Sequence, residues 1–147
     1  MPTYVCHARR GTLSTDDKQA LAERVTAAHE AATGAPTSFV QVLFTDFDRG
    51  DRFIAGRVAP VAGVFVHGHI RDGRTAAMKQ ALAEGLRDAV VAVTDLPGHL
   101  VWVYLSELAP QQMIEFGRVL PPAGAEQQWI DDIPSRVRAR LPELDGA

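Results

Sequence analysis

The hexapeptide KQALAE occurs twice, at residues 18–23 and again at residues 79–84, an offset of 61. The same offset lays Thr3, Tyr4 and Val5 on Val64, Phe65 and Val66, and residues 39–43 (FVQVL) on residues 100–104 (LVWVY). A repeat this long in only two copies points to a duplicated supersecondary unit rather than a solenoid. It is a strong constraint on the fold, because the structure one copy adopts has to be open to the other.

Each copy reads strand, helix, strand. In the first, Leu21, Val25, Ala28 and Ala32 recur at the three- and four-residue spacing of an amphipathic helix. Ser14 serves as its N-cap, Asp16 and Asp17 suit the positive end of its dipole, and Gly34 ends it. In the second, Thr75 is the cap and Met78, Leu82, Leu86 and Val93 form the stripe. A β-α-β unit joins parallel strands by a right-handed crossover. Two such units predict an α+β fold, a four-stranded sheet with both helices on one face. The other face then lacks cover, which predicts oligomerisation through it. The expected organisation is a single domain over residues 1–147, with copies at about 2–46 and 63–107 and a C-terminal tail at about 108–147. Residues 46–62 read as a turn and a short strand or hairpin. Within the tail, a short helix is expected over 111–116 and an amphipathic helix over 132–141, with Pro134 in its first turn. The tail reads as a flap over the core or an arm onto a neighbouring subunit.

Composition narrows the function classes. A chain of 147 residues that is 46% hydrophobic and 22% charged has the make-up of one soluble globular domain. Its net charge of −3 provides no footprint for nucleic acid or an anionic membrane. No apolar run approaches the roughly 18–20 residues of a membrane span, and no signal-peptide layout opens the chain, so a cytoplasmic location is expected. Cys6 is the only cysteine, which excludes an internal disulfide and a multi-cysteine metal site.

Polar residues present in one copy and absent from the other need a reason. His29 aligns with Val90, Tyr104 with Leu43 and Pro2 with Gly63. Pro2 stands directly before a strand, where a missing N–H is tolerated; with Met1 removed it is instead a secondary amine. Arg71 and Arg74 flank Asp72-Gly73 at the start of the second helix. They form a carboxylate grip, or the Asp-Gly pair simply makes a turn and both guanidiniums are solvated. His29 is a catalytic group or a satisfied core histidine, and Tyr104 a reactive phenol or a packed aromatic. Glu115 lies among apolar neighbours, where desolvation makes a carboxylate a usable general base; a solvated helix face accounts for it equally. His67 and His69 share one strand face, but no third ligand accompanies them.

Taken together, the Pro2 start, the duplicated unit, the helix histidine and the blocks FVHGHIRDGRTAAMKQALAE, VWVYLSE and PQQMIEFGRVLPP resemble the tautomerase superfamily. Within it they are most similar to the cis-3-chloroacrylic acid dehalogenase group, from Pro2 to about Trp129. The resemblance implies a homotrimer of β-α-β-β-α-β subunits acting on a small carboxylate without metal or organic cofactor. It implies catalytic roles for Pro2, Glu115, Tyr104 and His29, and substrate binding by Arg71 and Arg74 assisted by His29. The implied reaction hydrates a cis-3-haloacrylate to malonate semialdehyde, with Pro2 as general acid. The alternatives are enol–keto tautomerisation of a 2-oxo acid with Pro2 as base, and a non-catalytic trimeric interaction protein. Two segments, GAPTSF after the first helix and AGRVAPVAG between the copies, depart from the group's pattern.

Overall fold

A computed structural model describes residues 2–122 and 124–138. In chain order the elements begin with β1 (Thr3–Arg9), α1 (Thr15–Thr33) and β2 (Gln41–Phe47). A hairpin follows, β3 (Phe53–Ile54) and β4 (Arg57–Val58). The second half repeats the order with β5 (Val64–Arg71), α2 (Ala76–Thr94), β6 (Val101–Leu108) and a hairpin of β7 (Ile114–Glu115) and β8 (Arg118–Val119). Two short helices close the chain, α3 (Glu126–Asp131) and α4 (Ser135–Arg138).

The four long strands form one mixed sheet in the order β2-β1-β5-β6. Each half supplies a parallel pair, and β1 and β5 join them antiparallel at the centre. Alternation decides which face is buried. Tyr4, Cys6 and Ala8 of β1 and Val64, Val66 and Ile70 of β5 turn inward and are sealed from solvent. Leu21 and Val25 of α1 and Leu82, Leu86 and Val90 of α2 pack onto them in one core. Truncating a fully buried leucine such as Leu86 to alanine costs about 2–5 kcal/mol. Both helices therefore lie on one face, and the opposite face keeps Leu43, Trp102 and Tyr104 exposed.

The duplication shows in detail. Both long helices have 19 residues and begin 61 apart, at Thr15 and Ala76. Ser14 and Thr75 accept backbone N–H groups at their starts, and Gly34 and Asp95 end them in left-handed conformation. The offset also carries β3–β4 onto β7–β8, beyond the residues in which the sequence repeat was recognised. The two turns match: Ala55-Gly56 and Phe116-Gly117 both have positive φ, the conformation of a tight two-residue hairpin.

Three sequence expectations change. Residues 111–116 form no helix: a single 3-10 turn, Pro110–Gln112, leads into β7, so Glu115 sits on a hairpin strand. The first strands correspond at 62, not 61. Thr3 pairs with Gln41 and Phe65 with Trp102, and Tyr4 shares the buried face with Val66 while Phe65 faces the other way. Pro2 is thus the counterpart of Val64, not Gly63, and the β5–α2 connection is one residue shorter than the β1–α1 connection. At the C-terminal end, Pro134 precedes the single turn Ser135–Arg138, residues 139–141 lie outside the described residues, and α3 was not foreseen.

Part of the tail folds back onto the chain. Leu120, Trp129 and Ile133 bury themselves with Phe39 against the second hairpin. Among the described residues no such cluster covers the first hairpin, and Phe53 at its base is 58% exposed. Among the described residues no helix is long and apolar enough to cross a membrane.

Candidate active site

The site gathers where β1 starts, α1 ends and β5 passes into α2. Pro2 is buried there, and its carbonyl accepts the Gln41 N–H at 3.0 Å, fixing it beside the start of β2. A narrow cavity of about 30 Å³ is lined by Pro2, His29, Arg71, Arg74, Glu126 and Trp129. Ala35, Pro36 and Phe39, from the divergent segment GAPTSF, supply its apolar wall. Pro2 and Phe39 also line a wider cleft on the other side, and that cleft holds Glu115 and His69.

His29 takes the place in α1 that Val90 takes in α2, on the buried stripe. Burial first, then the charges of Arg74 and the amino terminus, lower its imidazolium to about 4, so the ring is neutral at pH 7. Its Nδ1 lies 2.6 Å from the Tyr4 hydroxyl. Burial raises the Tyr4 phenol well above its ordinary value, so it stays protonated. If the hydroxyl donates to Nδ1, its own proton is used and Nε2 carries the imidazole hydrogen; the reverse would strand both the hydroxyl proton and the Nε2 lone pair. Nε2–H is then a buried donor without a partner among the described residues. Tyr4 can reach the ring because Gly68 lies opposite it: a Cβ at Gly68 would meet the Tyr4 ring at 2.8 Å.

Arg71 is 8% exposed, an unusual depth for a guanidinium. Its Nη1 donates to the Pro121 carbonyl at 3.0 Å and its Nη2 pairs with Glu126 Oε1. Arg74 Nη1 donates to the Arg71 carbonyl at 2.9 Å. Burial and then repulsion from Arg71 lower the Arg74 guanidinium, which still stays charged at neutral pH. Arg71 Nε and Arg74 Nε, like His29 Nε2, have no hydrogen-bond partner among the described residues. Three buried N–H donors, two of them on cations, therefore converge beside Pro2. Donors of this kind are chemically suited to an anion, and the planar guanidinium to a carboxylate.

Glu115 is half-buried at the rim of the wider cleft. Burial raises its carboxyl above the ordinary range. Its internal counterpart, 61 residues earlier, is Ile54. The structure thus brings Pro2, His29, Arg71 and Arg74 together and places Glu115 next to them. It does not bring Tyr104 to this corner. Tyr104 stands on the bare sheet face, edge-on to Phe65, in a hollow with Phe53, Gly63 and Trp102 at the other end of the subunit.

Two participants escaped the sequence reading. Tyr4 was hidden as an ordinary inward strand residue, and Glu126 as one acid in a tail without clear pattern. The departure from an apolar partner at Val66 was the signal for Tyr4 once the strand register was known. Among the described residues no cluster of three His, Cys, Asp or Glu could hold a metal ion. His67 and His69 touch, with ring centroids 4.2 Å apart, and His67 Nε2 lies 2.8 Å from Ser106 Oγ.

The family model described as "Putative oxalocrotonate tautomerase enzyme" matches residues 1–132. The chain belongs to the tautomerase superfamily. Within the superfamily it falls in the cis-3-chloroacrylic acid dehalogenase-like group. The crystal structure of N1, a member of the cis-3-chloroacrylic acid dehalogenase family, is similar with 37% identity and a TM-score of 0.88, covering 96% of this chain and 99% of N1. A fused 4-OT solved as a symmetric trimer is 28% identical with a TM-score of 0.70, covering 76% of this chain and 89% of its own. Pt0534, solved after inactivation by 2-oxo-3-pentynoate, is 26% identical with a TM-score of 0.74, covering 80% of this chain and 94% of its own. No curated protein matches.

Proposed function

We propose that this tautomerase-superfamily chain is a cofactor-independent enzyme that adds water to small 3-substituted unsaturated carboxylates, with cis-3-haloacrylate as the type substrate. The observation that carries the reading is the trio of buried, unpartnered N–H donors on His29, Arg71 and Arg74 around Pro2. In this reading Arg71, Arg74 and His29 hold the substrate carboxylate and draw electron density from the C2–C3 double bond. Glu115, its carboxyl already raised by burial, takes a proton from water as the oxygen attacks C3. Pro2, with Met1 removed, delivers a proton to C2. The halohydrin then loses hydrogen halide to leave malonate semialdehyde.

An α-amino group ordinarily titrates at about 7.7–8.0, so neighbours decide its state. The Glu115 carboxylate favours the ammonium and acid catalysis. Burial and the two guanidiniums favour the neutral amine, and that observation supports the second reading: enol–keto tautomerisation of a 2-oxo acid with Pro2 as base.

The same reading includes a homotrimer. The bare sheet face with Leu43, Trp102 and Tyr104, the uncovered first hairpin, and the trimeric fused 4-OT relative all support it. Tyr104 then joins a Pro2 corner only from a neighbouring subunit.

The test is a substrate panel followed by NMR on untagged protein whose intact mass shows loss of Met1. Chloride and malonate semialdehyde from cis-3-chloroacrylate are expected, and Pro2→Ala should abolish them. Rapid ketonisation of phenylenolpyruvate without halide release would replace the first reading by the second. Activities and ligand affinities unchanged in Pro2→Ala and Arg74→Ala would leave a non-catalytic trimer.

A further inference from the structure

Arg71 already holds a carboxylate. Glu126 Oε1 sits on its Nη2, and the Pro121 carbonyl accepts from its Nη1, so both partners come from the C-terminal tail. Glu126 lines the narrow cavity together with Pro2, His29 and Arg74. It therefore stands on the guanidinium assigned above to the substrate's carboxylate, making the contact that a small acid would make. Burial works to raise the Glu126 carboxyl, but the hydrogen bond and charge of Arg71, with backbone N–H groups, outweigh it and keep the group ionised.

Arg71, Arg74 and Glu126 also line a second, wider cavity with Asp72 and Gly73, so the pair can be reached from solvent. Glu126 can turn outward, because its side chain is 32% exposed and its own charge would then be solvated. Arg71 cannot follow it, since its own side chain is only 9% exposed. A buried guanidinium deprived of its acid needs another acid.

We propose that Glu126 is a resident carboxylate that the substrate displaces, so that ligand binding at Arg71 is an exchange of one carboxylate for another. This rests on reading the Pro2 corner as a carboxylate site. The exchange makes Glu126 a specificity-determining residue. A carboxylate ligand restores the charge balance of Arg71 as Glu126 leaves, whereas a neutral amide of the same shape does not and fails to dislodge it. The resident acid also lowers the apparent affinity for every ligand by the fraction of time Arg71 is occupied.

The experiment compares Glu126→Gln with the native protein, using propanoate as an unreactive probe in calorimetric titrations. Gln keeps the length of the side chain and a hydrogen bond to Arg71 but removes the competing charge. We expect propanoate to bind the variant about tenfold more tightly, and propanamide to bind both proteins weakly. Equal or weaker propanoate binding by the variant overturns the exchange and makes Glu126 a brace for Arg71. If neither protein binds propanoate, the carboxylate reading of the corner fails as well. A second readout keeps Glu126 native. Trp129 lies three residues on from it in α3 and lines the same cavity. In a Trp102→Phe background, propanoate should change Trp129 emission with the affinity seen by calorimetry; binding heat without any emission change overturns the proposal.

Discussion

The two ends of the subunit are built from the same parts and have parted company. At one end stand Pro2, His29 and the second hairpin, at the other Val64, Val90 and the first hairpin. The Pro2 end has a polar ring on the helix stripe, an arginine before the helix cap and a tail folded over its hairpin. The other end has valine on the stripe, the core residue Leu13 before the cap and a bare hairpin with Phe53 in solvent. The shared features, namely registers, helix lengths, caps and turn geometry, are those that hold the fold. The features that differ are those that desolvate and charge one corner. Most of what holds the fold is thus common to both halves, and most of what marks the proposed site belongs to one.

That separation can be attacked directly. The largest effect should come from Arg71, whose strand counterpart is Arg9. Arg71→Ala is expected to lower kcat/KM on the preferred acid by about 10²–10³-fold, as loss of a positioned charge donor does, while Arg9→Ala stays within about twofold. Comparable losses in the two variants would erase the distinction between the ends. Next comes the flap. Trp129 is buried and its Nε1 donates to the Val119 carbonyl at 2.8 Å, so Trp129→Ala should cost about 3–5 kcal/mol of packing over the second hairpin. Hydrogen exchange should show faster opening of β7, β8 and α3. Phe53→Ala at the matching hairpin should leave subunit stability within about 0.5 kcal/mol and weaken self-association in sedimentation.

The third prediction concerns pH. His29 is lowered to about 4 in the folded chain from an ordinary value near 6.5, so between these the unfolded chain binds the proton and the folded one does not. Its contribution to stability is full above about pH 6.5 and is lost as pH falls toward 4, by up to about 3 kcal/mol. Urea titrations across this range should show the slope in the native protein. They should show it removed in His29→Val, which copies the residue at Val90. The smallest effect is at the helix starts. Ser14 forms a reciprocal capping box with Asp17, whereas Thr75 accepts only from the Met78 N–H. Ser14→Ala should cost about 1 kcal/mol, and Thr75→Ala somewhat less, by thermal denaturation.

The sequence carried the architecture because the repeat is dense in apolar spacing. Leu21, Val25, Leu82 and Leu86 sit where a 3.6-residue period puts them, and Ser14 and Thr75 cap the helices they precede. Pro2, His29, Arg71 and Arg74 were legible as differences between copies and through the family resemblance. What escaped was set by tertiary register. The one-residue slip between the first strands shows only in the pairing of Thr3 with Gln41 and Phe65 with Trp102. The strand at Glu115 depends on two short segments meeting across Phe116-Gly117, too few residues for a periodic signal. Glu126 meets Arg71 across 55 residues of chain, and no local pattern records such a partnership.

The connection from β5 to α2 is a residue shorter than its twin, and this has a meaning for how such a chain diverges. In the longer connection the residue before the cap, Leu13, belongs to the core; in the shorter one that position is Arg74, facing the cavity. A change of loop length moves a whole set of side chains at once, without touching strand or helix. Two copies of one unit can thus diverge by a residue of loop length as well as by substitution, while strand and helix keep their places.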